Sequence, residues 1–400
     1  MSDQNFIPLS GYTDRLSARP GDTVEVRVSS LSLEPYQASL VRVRYADPNP
    51  EGLGVKIEEV PTDWEGSYPS REQKICPGSY GMVERTGSLS EMQSFSVLVS
   101  LWPTRPGFGR QTLLAHQGQN RGWSLFLDEK GLLTAEIGDS EKSHSLSLEG
   151  VVRKRKWYRA WIAYDDGTST LSLGRCILDP GLNREDRVES RTGLSFKATD
   201  SWQPLMIAAR NGIPPCEHFN GKLEAPAVFS RALNLEEIEG FLNGTRYETP
   251  TAKWDFSRDI PTSRIIDTGP EMLEGRLVNY PTRGMTGSSW NGREMCWRHA
   301  PEDYGAIHFH EDDIYDFGWE TDFTLTIQED LKSGVYAVKL ECGDHRDYVP
   351  LFVNPPKGKK KADLCVLVST FTYAVYGNHA RPDFKDSWRD RIRDWNAYPH

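Results

Sequence analysis

The chain is expected to be mainly β: a sandwich whose closing strands come late, a second β module inserted between them, and at the end the start of an α/β domain. Three observations predict this. Short segments alternating apolar and polar residues, separated by Pro/Gly turns, recur from Tyr12 to Val353, as half-buried strands do. Few stretches carry helical signals, and the clearest is a short one near Asn234. Close to the end, Leu364 to Val368 is a near-continuous apolar run, the pattern of a strand buried on both faces.

Taken in order, Arg19-Pro20-Gly21-Asp22 is a turn, and Thr23 to Ser29 then alternates strictly. Leu40 to Tyr45 repeats the pattern, which looks like part of an immunoglobulin-type sandwich. A second β region follows, with strands at Phe95–Trp102, Gly122–Asp128, Trp157–Tyr164 and Thr170–Leu173, the last two joined by an Asp165-Asp166-Gly167 hairpin turn. Phe219 to Phe229 reads as a strand pair with a glycine kink. Asn234, with Glu237 three residues on, forms a capping box for one short helix. Residues 321–327, 334–340 and 347–353 are three further strands, most economically joined to the N-terminal ones. The expected division is 1–90 for the first part of the sandwich, 91–245 for the insert and 246–356 for the closing part. A basic linker at 357–361 and an incomplete α/β domain at 362–400 follow.

Composition narrows the function. With 47 basic and 57 acidic residues the net charge is −10, which disfavours a general nucleic-acid binder. No apolar stretch approaches the ~20 residues of a membrane span. The first residues lack a basic flank before an apolar region, so a cytoplasmic location is expected. Six cysteines without a Cys-x-x-Cys pair read as free thiols, most of them buried. Arg153 to Lys156 is a basic tetrad, read either as a solvated turn or as a contact for an acidic partner.

Two places could carry chemistry. On an extended chain His308 and His310 face the same side, and Asp312 continues that face, so two imidazoles and a carboxylate could hold a metal. Ile307 and Phe309 on the other face also suit an ordinary strand whose polar side packs on a neighbour. The second place is Ser369 to Asn378, at the carboxyl end of the apolar run, where α/β sheets place their ligands. Tyr373 and Tyr376 there are either metal-binding phenolates or half-buried residues at a strand end.

The stretch from Phe95 to Thr245, ending in Phe-x-Gly-Lys-Leu, Ser230-Arg231-Ala232-Leu233 and the capped helix, resembles laminin-G-like or concanavalin-A-like jelly rolls. Such modules often bind sugars with calcium. Asp128, Asp139, Asp165 and Asp166 form no compact carboxylate loop, so a packing and assembly role is expected. Three other stretches are Tyr304 to His310 with Ile314-Tyr315-Asp316 and Gly318-Trp319, then Gly334 to Val338, then Ser369 to Asn378. Together they resemble the large (beta) subunit family of N,N-dimethylformamidases, in its N-terminal part. The resemblance implies hydrolysis of a small amide to an amine and a carboxylate. It also implies a mononuclear non-haem iron held by two tyrosines and a glutamate, a small helical partner subunit and an oligomeric assembly. Only the first tyrosine ligand has a matching position, Tyr376 with Tyr373 as the alternative; the other two ligands would lie beyond His400. The competing expectation is a non-catalytic β-rich binding or assembly protein built on the jelly roll.

Overall fold

In a computed structural model of the 400-residue chain, the described residues are 8–46, 52–178, 187–200, 202–245, 249–358 and 362–372. They form two compact units, one from residues 1–75 and 318–400, the other from 76–317. No helix among the described residues is long and apolar enough to cross a membrane.

The first unit is a β-sandwich closed by strands far apart in sequence. Thr23–Ser30 buries every second residue, and its Val24, Val26 and Val28 face the core. It pairs antiparallel with Leu9–Thr13 on one side and Phe323–Thr326 on the other. In the opposing sheet Tyr36–Ala46 pairs with Gly334–Cys342, which forms a nine-residue hairpin ladder with His345–Val353. Between the sheets pack Tyr36, Leu40, Tyr336, Val338, Leu340 and Leu351. The late strands therefore complete the early sandwich, the economical topology expected of them.

The second unit is a two-sheet jelly roll. One sheet runs Ser143–Ser147, Leu133–Asp139, Arg121–Leu127, Gln111–Gly118, Leu205–Ile207, Tyr80–Val83, Gly275–Val278 and Arg264–Asp267. Ala252–Asp255 links it to the other, which runs Gly221–Phe229, Phe95–Pro103, Tyr158–Asp165, Thr170–Ile177 and Arg187–Arg191. Ala306–Phe309 pairs with the other side of Gly221–Phe229 and with Thr282–Met285. Phe95, Val97, Val99 and Leu101 project into the space between the sheets with Trp123, Tyr164 and Trp254. The Trp254 indole N–H, fully buried there, donates to the Leu273 carbonyl at 2.8 Å, so the largest apolar surface enters the core with its polar atom satisfied. The helix Leu235–Leu242 starts at the expected capping box, with Glu237 and Asn234 exchanging bonds of 2.8 and 3.0 Å. Its Ile238 lies over Leu98, Trp161 and Phe229, on the outer face of the second sheet.

Several expectations are corrected. The insert is longer than 91–245, because residues 76–90 and 252–309 contribute strands that pair inside the jelly roll. Phe219 to Phe229 holds one strand, and its irregularity is a bulge at Ala225, where φ is +47°. The six cysteines are free, but of these only Cys342 is buried. Leu364 to Val368 forms no strand among the described residues, and Leu364, Val366 and Leu367 are 89, 84 and 93% exposed. An apolar strand leaves water only against neighbours, and none of the described residues pairs with this one.

Candidate functional site

The bulge at Ala225 sets the geometry of the most developed cavity. Across the Gly221–Phe229 and Phe95–Pro103 pair, Glu224 lies opposite Ser100 and Ala227 opposite Leu98, so two residues, Ala225 and Pro226, stand against the single Val99. The extra residue reverses the in/out alternation. Leu223 and Val228 both point into the core, and Glu224, Ala227 and Phe229 share the outer face. A proline, which lacks the N–H a ladder needs, follows the bulged residue at Pro226.

Glu224 is 9% exposed. Its two carboxylate oxygens accept the Ser288 backbone N–H at 3.2 and 3.0 Å. Gly287 allows this approach, since a Cβ there would collide with Oε1 of Glu224. Burial pushes the Glu224 carboxyl up from the usual range, against the Ser288 bonds and the nearby Arg159 and Lys222 charges, which favour ionisation. Neither Glu224 nor Arg159 forms an ion pair among the described residues; the Arg159 guanidinium donates to Asn243 Oδ1 at 3.4 Å. Both open, with Ser100, Lys253, Asp255 and Ser257, onto a cavity of about 320 Å³ walled on its apolar side by Phe241, Leu242 and Phe256.

One residue pair away along the same outer face lies a second polar row. Lys222 stands between Trp102 and His308 across the three strands. Its ammonium donates to the Thr286 carbonyl and hydroxyl at 3.1 and 2.9 Å and lies 4.8 Å from the centre of the Trp102 ring. Lys222 and Glu224 thus hold the 286–288 backbone from both sides. His308 and His310 do face the same side, with ring centres 4.1 Å apart. Burial first, then the His310 and Lys222 charges, push His308 down to about 4, and its buried Nε2 has no hydrogen-bond partner. Asp313, rather than the expected Asp312, bonds His310 Nδ1 at 3.2 Å and raises its pKa.

Among the described residues no group of three or more His, Cys, Asp and Glu side chains could hold a metal ion. The histidine pair with Asp312 is therefore not assembled as a metal site. Tyr373 and Tyr376 lie outside the described residues. Asp128, Asp139 and Asp165 each serve their own turn, accepting backbone N–H groups two to four residues on. The basic tetrad sits in a loop before the Tyr158–Asp165 strand, where the Tyr158 hydroxyl accepts the Arg153 N–H at 2.8 Å. Sequence reasoning passed over Glu224, Ser100 and Arg159. The available signal was a charged residue inside an apolar strand, two positions before a proline.

The family model described as "N,N-dimethylformamidase beta subunit-like, C-terminal" matches residues 282–398. The chain is 38% identical to the N,N-dimethylformamidase beta subunit of Paracoccus aminophilus, over 93% of this chain and 52% of that one. With the N,N-dimethylformamidase beta subunit of an Alcaligenes species it is 36% identical over the same shares. The chain thus spans about half the length of the curated relatives it matches. Among solved structures, the CBM40 of a Ruminococcus gnavus IT-sialidase bound to α2,3-sialyllactose aligns with 42% of this chain and 94% of its own, at 15% identity and a TM-score of 0.34.

Proposed function

We propose that this chain, 38% identical to an N,N-dimethylformamidase beta subunit over 93% of its length, belongs to that family and has a part in the hydrolysis of small linear amides to an amine and a carboxylate. The observation that carries this reading is the identity of 38% sustained over nearly the whole chain, both β units included. The chain corresponds to the N-terminal portion of such a subunit. In support, the family's C-terminal model begins only at residue 282, and about half of each relative lies outside the match. The relatives' designation as beta subunits supports an assembly with a second subunit.

Iron is the metal this reading calls for, because a phenolate is a hard anionic ligand suited to ferric iron. Tyr376 is the proposed ligand from this chain, with Tyr373 as the alternative.

Metal analysis and dimethylformamide turnover test the reading, measured on this chain by itself and on the chain produced with the sequence encoded downstream and its partner subunit. Iron and turnover are expected only in the completed assembly, where Tyr376→Phe removes or strongly weakens the phenolate-to-iron absorption and Tyr373→Phe changes it little. Stoichiometric iron or turnover in the chain by itself, or an active assembly without iron, would overturn the proposal.

A further inference from the structure

The jelly roll holds a cavity whose polar groups are arranged for a guest. Arg159, Ser100 and Glu224 occupy one row across three adjacent strands, paired Arg159 with Ser100 and Ser100 with Glu224. All three line the same cavity of about 320 Å³, near the lower end of the ~300–1,000 Å³ of ligand pockets. The guest is therefore small.

Charge defines it further. A carboxylate withdrawn from water is costly without an opposite charge, yet Glu224 forms no ion pair among the described residues. Ser288 is its one described donor residue, through its N–H and its hydroxyl, which leaves acceptor capacity on the carboxylate. At the other end of the row Arg159 is likewise without a carboxylate partner among the described residues. A cation-only guest would leave Arg159 unpaired, and an anion-only guest would add to Glu224 a second negative charge beside it. A guest bearing both charges satisfies both ends.

We infer that this cavity binds a small zwitterion of the amino-acid class, its ammonium on Glu224, its carboxylate on Arg159 and its apolar part against Phe241 and Phe256. Spacing agrees. Strands stand about 4.8 Å apart, so the two end residues are rooted about 10 Å apart, and two charge-assisted bonds of about 2.8 Å leave about 4 Å between the guest's charges. That span suits an α- or β-amino acid. The Ser100 hydroxyl lies between the ends, placed to bond either group. Burial raises the proton affinity of Glu224, and an ammonium beside it would restore the ionised form.

The experiment is calorimetric titration of the full chain with single L-amino acids and β-alanine, alongside propylamine and propionate as one-charge controls. At least one zwitterion is expected to bind with a dissociation constant below 1 mM on the order of tenfold or more tighter than either control. Glu224→Gln, which keeps an acceptor for the Ser288 N–H, should weaken that binding at least tenfold with the melting temperature of the free protein preserved. Arg159→Gln, at a half-exposed position, should do the same and shift the preference toward propylamine. Absence of binding by every zwitterion would overturn the inference, as would equal binding of propylamine, or unchanged affinity in both variants.

Discussion

His116 offers a test of how far burial controls this jelly roll. It sits on the Gln111–Gly118 strand opposite Trp123, 1% exposed, with Nε2 3.2 Å from the Gln203 carbonyl oxygen. A carbonyl only accepts, so Nε2 carries a hydrogen. Burial holds its pKa at about 4 against 6.5 for an ordinary histidine. The folded state therefore binds fewer protons than the unfolded state between these values, and stability falls as pH drops below 6.5, levelling off below 4. A displacement of that size corresponds to about 3 kcal/mol in full, most of which is lost by pH 4.5. His116→Gln keeps an N–H for the Gln203 carbonyl and does not titrate. The drop in unfolding free energy from pH 7.5 to pH 4.5 should be roughly 2–3 kcal/mol smaller in the variant than in the parent. Urea-dependent hydrogen exchange on peptides from the Arg121–Leu127 strand confines the reading to this unit. His308, with a pKa also near 4, is present in both proteins and cancels. Equal acid losses, within about 0.5 kcal/mol, would refute the assignment of His116 as a neutral buried ring.

Other substitutions probe the frame around the cavity and the core. Gly122 adopts φ of +86°, and a Cβ there would meet the His116 carbonyl oxygen. Gly122→Ala should therefore cost about 3 kcal/mol or more in urea unfolding, and a loss under about 1 kcal/mol would contradict this backbone path. Asp267, 5% exposed, accepts the backbone N–H groups of Lys253, Gly269 and Leu273 at 2.8, 2.7 and 2.7 Å. Asp267→Ala leaves three donors unpaired and should cost about 3 kcal/mol or more, with Asp267→Asn intermediate; neutral behaviour of both would show that water replaces the carboxylate. Asn234→Ala should lower stability by about 1 kcal/mol and expose the Leu235–Leu242 amides to faster exchange, and unchanged exchange there would mean that packing of Ile238 alone holds the helix.

The elements that sequence reading located are those whose signal is local. Thr23–Ser30 announces itself by alternation, the helix by Asn234 and Glu237, and the hairpin at 165–170 by Asp-Asp-Gly. Membership of 252–309 in the jelly roll was not legible, because Ala252–Asp255, Gly275–Val278 and Ala306–Phe309 are four residues each and each has a partner 24 to 198 positions back in the chain. Pattern length cannot choose among such partners; only the completed sheets do. The cavity was hidden for a related reason. Glu224 faces outward with Ala227 and Phe229 only because one extra residue shifts the register, and that shift depends on the pairing with Phe95–Pro103. The apolar run at 364–368 shows the converse, since composition signals a strand suited to burial and the described residues provide nothing to bury it.

The insertion itself bears on how the protein is made. Residues 76–317 amount to 242 positions placed between strands of one sandwich. At ~5–20 residues per second, synthesis of that insert takes roughly ten to fifty seconds, during which Tyr36–Ala46 waits without Gly334–Cys342, its neighbour along one edge. An unsatisfied edge of that kind invites pairing with other chains. The folded jelly roll eases the closure that follows, because its two ends are tied together by Gly78 N–H to the Asp313 carbonyl at 2.8 Å and Ser79 N–H to the His310 carbonyl at 2.9 Å. Once those bonds form, a closure spanning 242 residues behaves as one of a few, which lowers its entropic cost by about 3 kcal/mol. The inserted module then acts as a clasp, bringing the late strands back to the early ones as they leave the ribosome.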